Sequence, residues 1–165
     1  MIRFIAAIDS LRGIADDKGI PWSLPSDHDH YVKKVSKGRI LMGYGTYLAH
    51  SETLHGHTEY VATSHLEPLR EGFKRVEDID AFINSKALTW VLGGSQLFDS
   101  VLDKADELHI TQVNGSFGCT KFFPAFEEKF VLVKRSAIKK ENGTEYQYQV
   151  WKNKRLLSAS DLQNT

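Results

Sequence analysis

A carboxylate closes the most constrained stretch of the chain, Gly19-Ile20-Pro21-Trp22-Ser23-Leu24-Pro25-Ser26-Asp27. Prolines at 21 and 25 fix φ and remove two backbone donors, so the stretch is neither a helix interior nor a central strand. Trp22 adds a large ring with one N–H, which takes a partner when buried. Two readings of Asp27 stand side by side. Ser26 or Asp27 could simply cap a helix expected over 28–37, or Ser26 caps and leaves the Asp27 carboxylate free for chemistry.

A second kind of chemistry is phosphate binding by backbone N–H groups. Gly93-Gly94-Ser95 sits between a strand expected over 88–92 and a helix over 96–102, the strongest such cradle here. Gly43-Tyr44-Gly45-Thr46 repeats the geometry more weakly, after a strand over 39–42 and before a helix from Tyr47; the same residues serve any tight turn. Thr63-Ser64-His65 lie just past a third strand, 59–62, at the edge where open parallel sheets bind ligands. Neither GxxxxGK[ST] nor GxGxxG is present, which disfavours a P-loop kinase or ATPase.

The elements that must carry these groups read as follows. Ile2–Ile8 is a strand buried on both faces, and Asp9–Gly19 is a loop that either crosses the surface or moves over a ligand. Residues 67–75 form a charged connector ending in Lys74-Arg75, and 76–84 a short helix. Strands are expected over 107–113, 129–140 and 146–152, with Asn142-Gly143 marking a hairpin. Strand–helix alternation that ends in a hairpin predicts an α/β fold: a mainly parallel twisted sheet, flanking helices and a C-terminal antiparallel hairpin. One domain is expected over 1–155, with a polar, poorly ordered tail over 156–165.

Composition narrows the function. Lys+Arg and Asp+Glu are equal at 21, which gives no general electrostatic case for nucleic acid or an anionic membrane. The single Cys119 excludes an internal disulfide, and no Cys/His spacing suits a structural metal. No apolar run approaches the roughly 18 residues of a membrane span. The expectation is a cytoplasmic monomer.

Read as a pattern, Ile5-Ala6-Ala7, Pro21-Trp22-x-Leu24-Pro25-x-Asp27, Leu41-Met42-Gly43-x-x-Thr46, Val91-Leu92-Gly93-Gly94-Ser95, Leu108-His109-Ile110-Thr111 and Phe122-Phe123-Pro124 resemble the dihydrofolate reductase family, in order and over about residues 1–152. The resemblance implies NADPH-dependent reduction of dihydrofolate to tetrahydrofolate, with hydride passing from nicotinamide to the pterin and a proton to the adjacent nitrogen. It implies that Asp27 binds the pterin and supports protonation, with Thr111 as its companion, Trp22 holding a water and Ile20 on the closing loop. Ile5 and Leu92 would offer carbonyls, and His28, Tyr31, His50, Leu54 and His57 would complete the substrate cleft. Ala7 and Ile14 would meet the carboxamide and ribose. Gly43, Tyr44, Gly45, Thr46, Gly93, Gly94, Ser95, Gln96 and Leu97 would surround the phosphates, Phe98 the nicotinamide, and Thr63, Ser64, His65 and Lys74 or Arg75 a 2′-phosphate. The Gly93-Gly94 bond would be cis.

This reading is coherent from below. A carboxylate among Trp22, Ile5 and Tyr31 takes a raised pKa through desolvation and can hold a proton or bind a protonated heterocycle. Three positions depart from the family: His57 stands where an arginine commonly grips the substrate's glutamate tail, Tyr44 and Gln96 where arginines meet the cofactor phosphates, and Cys119 where an acid follows the loop glycine. The missing arginine keeps one alternative open, a related reductase of another pterin or a pyrimidine; a separate alternative is a non-catalytic folate- or nucleotide-binding module, against which intact Asp27, Thr111 and Gly93-Gly94 argue.

Overall fold

The computed structural model describes residues 1–160. Strand β1 (Ile2–Ile8) alternates strictly: Ile2, Phe4 and Ile8 face one apolar cluster and Ile5 faces another, which places β1 in mid-sheet. After it come β2 (Gly13–Ala15), α1 (Pro25–Lys34), β3 (Arg39–Gly43), α2 (Tyr44–Leu48), β4 (Glu59–Ala62) and β5 (Phe73–Val76). The second half holds α3 (Ile79–Ile83), β6 (Thr89–Val91), α4 (Ser95–Val101), β7 (Glu107–Val113), β8 (Lys121–Phe122), β9 (Phe130–Arg135), β10 (Lys139–Glu141) and β11 (Thr144–Asn153).

The main sheet runs β10-β11-β7-β1-β6-β3-β4-β5, with β9 also paired to β11. Pairings from β7 through β5 are all parallel, whereas β11 is antiparallel to β7, β9 and β10. The mixed sheet with its C-terminal hairpin is therefore the expected architecture. Asn142 (φ 50) and Gly143 (φ 77) both adopt the left-handed conformation that a two-residue hairpin turn requires.

Several boundaries differ from expectation. Helix α1 starts three residues earlier, because Pro25 supplies a preset φ at the first helical position. Leu24 is its N-cap and no side chain caps it, so Ser26 and Asp27 both lie in the first turn. The connector 67–75 hides β5, an edge strand whose Phe73 and Val76 are buried beside charged Lys74 and Arg75. The strand expected over 129–140 is broken at Ser136, whose N–H donates to the Tyr148 carbonyl at 2.9 Å. The loop after β1 contains β2, which pairs with β8. Of the expected tail, Leu156 ends a 3-10 turn, and residues 161–165 lie outside the described residues. Among the described residues no helix is long and apolar enough to cross a membrane.

Candidate active site

The sheet opens at the place where the carboxylate arrives. Pairing of β1 with β6 stops at Phe4–Val91, while β1 stays paired with β7 as far as Ile8–Gln112. Ile5 and Leu92 therefore lie where two parallel strands part, and β1 is the strand from which the order departs in both directions. Such switch points are the ligand crevices of open α/β sheets.

Helix α1 brings Asp27 to this gap. Leu24, packed with Val113 and Tyr146, fixes the entry to the helix. Thr111, 5% exposed on β7, donates its hydroxyl to Asp27 Oδ1 at 2.6 Å. Burial pushes the Asp27 carboxyl above its ordinary value; the Thr111 bond and His28 oppose the rise, and Glu141 adds to it. Ser26, the neighbour of Asp27, is tied by both N–H and hydroxyl to Glu141. One turn further, the Tyr31 hydroxyl is shielded from solvent and has no hydrogen-bond partner among the described residues. Burial raises its pKa, and the carboxylate of Glu59 raises it further.

Trp22 is half-buried and meets Phe117 edge-on at 5.3 Å. Phe117 is in turn held by Asp9, which is 2% exposed. Asp9 Oδ1 accepts from Leu11 N–H at 2.9 Å and Gly13 N–H at 2.8 Å, and Oδ2 accepts from Phe117 N–H at 3.2 Å. Burial would raise the Asp9 pKa, but these three bonds and the Cys119 thiol outweigh it and hold the carboxyl low. Asp9 thus binds the loop before Trp22 to the loop after β7. Gly13 is required at this junction, because an added Cβ would lie 2.4 Å from Cys119 Cβ.

On the other side of the gap a cleft of about 800 Å³ runs along the C-terminal ends of β3, β4 and β5. Gly43, Tyr44, Gly45, Thr63, Ser64, His65, Gln96 and Leu97 line it. Gly43 N–H donates to the Gly93 carbonyl at 2.7 Å, and Thr46 Oγ1 sits beside Gly93 and Gly94. The Gly93-Gly94 peptide is cis. Gly94 caps α4 without a side-chain hydrogen bond. Tyr44 and His65 stack at 4.0 Å with an interplanar angle of 20°, forming one aromatic wall.

Other expected residues do not line this cleft. Lys74 is exposed in mid-strand and does not line the cleft; Arg75 donates to the Glu67 carbonyl at 2.7 Å. Phe98 is 1% exposed and packs on Phe4 and Phe123 in the core. Ile14 packs against that same cluster, and Ala7 against Leu24 and Val113. Ile20 is 64% exposed. His28 and His57 are exposed, while His50 Nδ1 is engaged by the Thr46 carbonyl at 2.7 Å. Leu54 packs on the same cluster as Tyr31.

Three participants escaped the sequence reading. Ser100 lines the cleft one helical turn beyond Gln96, a spacing that would have revealed it. Asp9 and Glu59 are buried acids that accept backbone N–H groups, and no side-chain spacing announces such bonds.

With this geometry in place, likeness to known proteins can be stated. The family profile described as dihydrofolate reductase matches residues 1–155. A dihydrofolate reductase of Bacillus subtilis is 28% identical over 160 residues, covering 93% of this chain and 95% of the relative. One of Staphylococcus aureus is 32% identical over 126 residues, 76% of this chain and 79% of the relative. The solved dihydrofolate reductase from Enterococcus faecalis, complexed with NADP(H) and RAB-propyl, superposes with a TM-score of 0.81 at 21% identity, over 93% of this chain and 96% of that one, and so shares the fold. A profile match along nearly the whole length, together with these relatives, shows that the chain belongs to the dihydrofolate reductase family.

Proposed function

We infer that the chain reduces 7,8-dihydrofolate to 5,6,7,8-tetrahydrofolate with NADPH. The observation that carries the reading is the part-buried Thr111–Asp27 pair just beyond the point where β1 and β6 part. A carboxylate held there can accept two hydrogen bonds from the amino group and ring N–H of a pterin. Its raised pKa lets it stabilise a protonated heterocycle without being fully hydrated. Thr111 fixes which oxygen is free, since its hydroxyl already occupies Oδ1. Trp22, on the stretch that leads into α1, packs edge-on against Phe117.

The cleft beyond Gly93 suits a dinucleotide. The Gly43–Gly45 backbone is bare at Gly45, where an added Cβ would meet nothing within 4 Å, and an anionic diphosphate could lie against the Tyr44 and Gly45 amides and Ser95. Tyr44 and His65 would flank the adenosine end, with Thr63 and Ser64 beside them. NADPH supplies the hydride when bound; the protein positions it and controls the proton. The working unit proposed is a monomer. A balanced charge and a single cysteine favour the cytoplasm over a membrane or nucleic-acid surface.

The test is turnover by the purified chain. Equimolar loss of NADPH and gain of tetrahydrofolate supports the reading; NADPH binding without tetrahydrofolate formation leaves the non-catalytic module in its place.

A further inference from the structure

The first turn of α1 rests on two tyrosines of β11. Tyr148 pairs with Thr111 and Tyr146 with Val113 across the antiparallel ladder, so all four side chains stand on one face of the sheet. Asp27 meets that face, because Thr111 donates to it. Leu24, the N-cap of α1, packs with Tyr146 and Val113. His30 follows Asp27 by three residues and so shares its side of the helix. Its ring stacks on Tyr148 at 3.8 Å with an interplanar angle of 17°. Glu141, at the end of β10, accepts the N–H of Ser26 at 2.9 Å and its hydroxyl as well. Asp27 therefore lies between two residues, Ser26 and His30, that the C-terminal hairpin holds.

The Tyr148 ring makes this hold, and its hydroxyl adds little. The hydroxyl lies 3.5 Å from the Ser26 carbonyl, at the weak limit of a hydrogen bond, whereas the stack is at van der Waals spacing. The phenol stays neutral: burial pushes its pKa up, and the charge of Asp27 pushes it further. The other charged and titratable groups here are His28 and Glu141 near Asp27, and Lys34, His109 and Lys139 near His30. Burial first, and then those last three, hold the His30 pKa below its ordinary value. A neutral imidazole therefore faces the Tyr148 ring near pH 7.

We propose that Tyr148 is a positioning residue for the reaction: with His30 it clamps the Asp27 turn of α1 over β7 and β11 and keeps the carboxylate in its shielded, Thr111-bound pose. The inference rests on the assignment of the chemistry to Asp27 in the proposed function. Burial is the largest cause raising the Asp27 pKa. Removing the ring lets water reach the carboxylate, which lowers that pKa and moves the rate profile toward acid. Loss of the Thr111 donor acts in the other direction, because that bond opposes the rise.

Two readouts on the intact chain test it. One is the titration of the Asp27 carboxyl by NMR of isotope-labelled aspartate, its signal identified by its loss in Asp27→Asn. The other is kcat/KM for dihydrofolate reduction with NADPH as a function of pH. Tyr148→Leu removes the ring from the strand side, and His30→Ala removes its partner from the helix side, so loss of the fold in one leaves the other to decide. In each, the Asp27 titration should move toward acid by roughly half a unit or more, and the kinetic profile should move with it. kcat/KM near neutrality should fall about threefold or more. Tyr148→Phe keeps the stack and should retain the wild-type titration and profile. A ring that only fills space would lower the melting temperature and leave both curves in place, so unmoved curves in Tyr148→Leu and His30→Ala overturn the proposal. A Tyr148→Phe shift as large as that of the leucine variant also overturns it, by assigning the effect to the hydroxyl. An Asp27 titration that shifts as expected in a chain unable to reduce dihydrofolate keeps the clamp and overturns the proposed function instead.

Discussion

Thr111 on β7 donates a 2.6 Å hydrogen bond to Asp27 on α1, joining residues 84 positions apart at the point where the sheet opens. The bond opposes the rise that burial imposes on the carboxyl, so the two residues together set where the site titrates.

Thr111→Val removes the donor and keeps the shape. The Asp27 pKa should rise further, because the opposing bond is gone. A hydrogen bond to a charged group contributes roughly 1.5–3 kcal/mol, so kcat/KM near neutrality should fall about tenfold or more. The profile of rate against pH should also move toward alkaline values. An unmoved profile in the valine variant would separate Thr111 from the titration.

Asp9 should matter for stability more than for proton transfer. Its folded pKa is depressed below the ordinary 3.8, so its contribution is present above that value and is lost as pH falls through the folded pKa. Asp9→Asn breaks or weakens three backbone bonds in a buried setting and should cost about 2 kcal/mol near neutrality. Denaturant unfolding should show the gap between wild type and variant closing only at strongly acid pH.

The sequence made the strands visible wherever an apolar run stood between turn residues, as in Ile2–Ile8, Glu59–Ala62 and Glu107–Val113. It concealed β5, since Phe73-Lys74-Arg75-Val76 is half charged and an edge strand tolerates that. Helix α1 starts earlier than its apolar spacing implies, because Pro25, a breaker in a helix interior, has a fixed φ that suits the first helical position. Asp27 stood out through its neighbours, and Thr111 through the family pattern. The Tyr44–His65 stack and the Glu59–Leu54 bond arise only when distant segments meet, and no local periodicity encodes them.

Gly13→Ala should be destabilising by about 1–3 kcal/mol through overpacking. The added Cβ meets Cys119 Cβ at 2.4 Å and Sγ at 2.7 Å, so Cys119→Ala should relieve little and Cys119→Gly should relieve most of the clash. A double-mutant cycle by thermal unfolding measures the coupling.

The cofactor end predicts a modest choice. Tyr44 and His65 offer a flat stack with hydroxyls of Thr63 and Ser64 beside it, where an arginine would hold a 2′-phosphate with two bonds. NADPH should be preferred to NADH, and Tyr44→Arg should enlarge the ratio of their kcat/KM values about tenfold. Equal kcat/KM for the two cofactors in the wild type would remove the 2′-phosphate from recognition.

The most direct measurement is the steady-state rate of dihydrofolate reduction by wild type and Asp27→Asn from acid to alkaline pH. Because burial keeps the Asp27 carboxylate from its full hydration, the asparagine variant should fold at least as stably near neutrality. Loss of the proton-handling carboxylate should nevertheless lower turnover about a hundredfold or more there. The deficit should narrow toward acid pH, where solvent protonates the substrate, while wild-type turnover declines as pH rises. An asparagine variant with wild-type turnover and the same pH profile would contradict the assignment of the chemistry to Asp27.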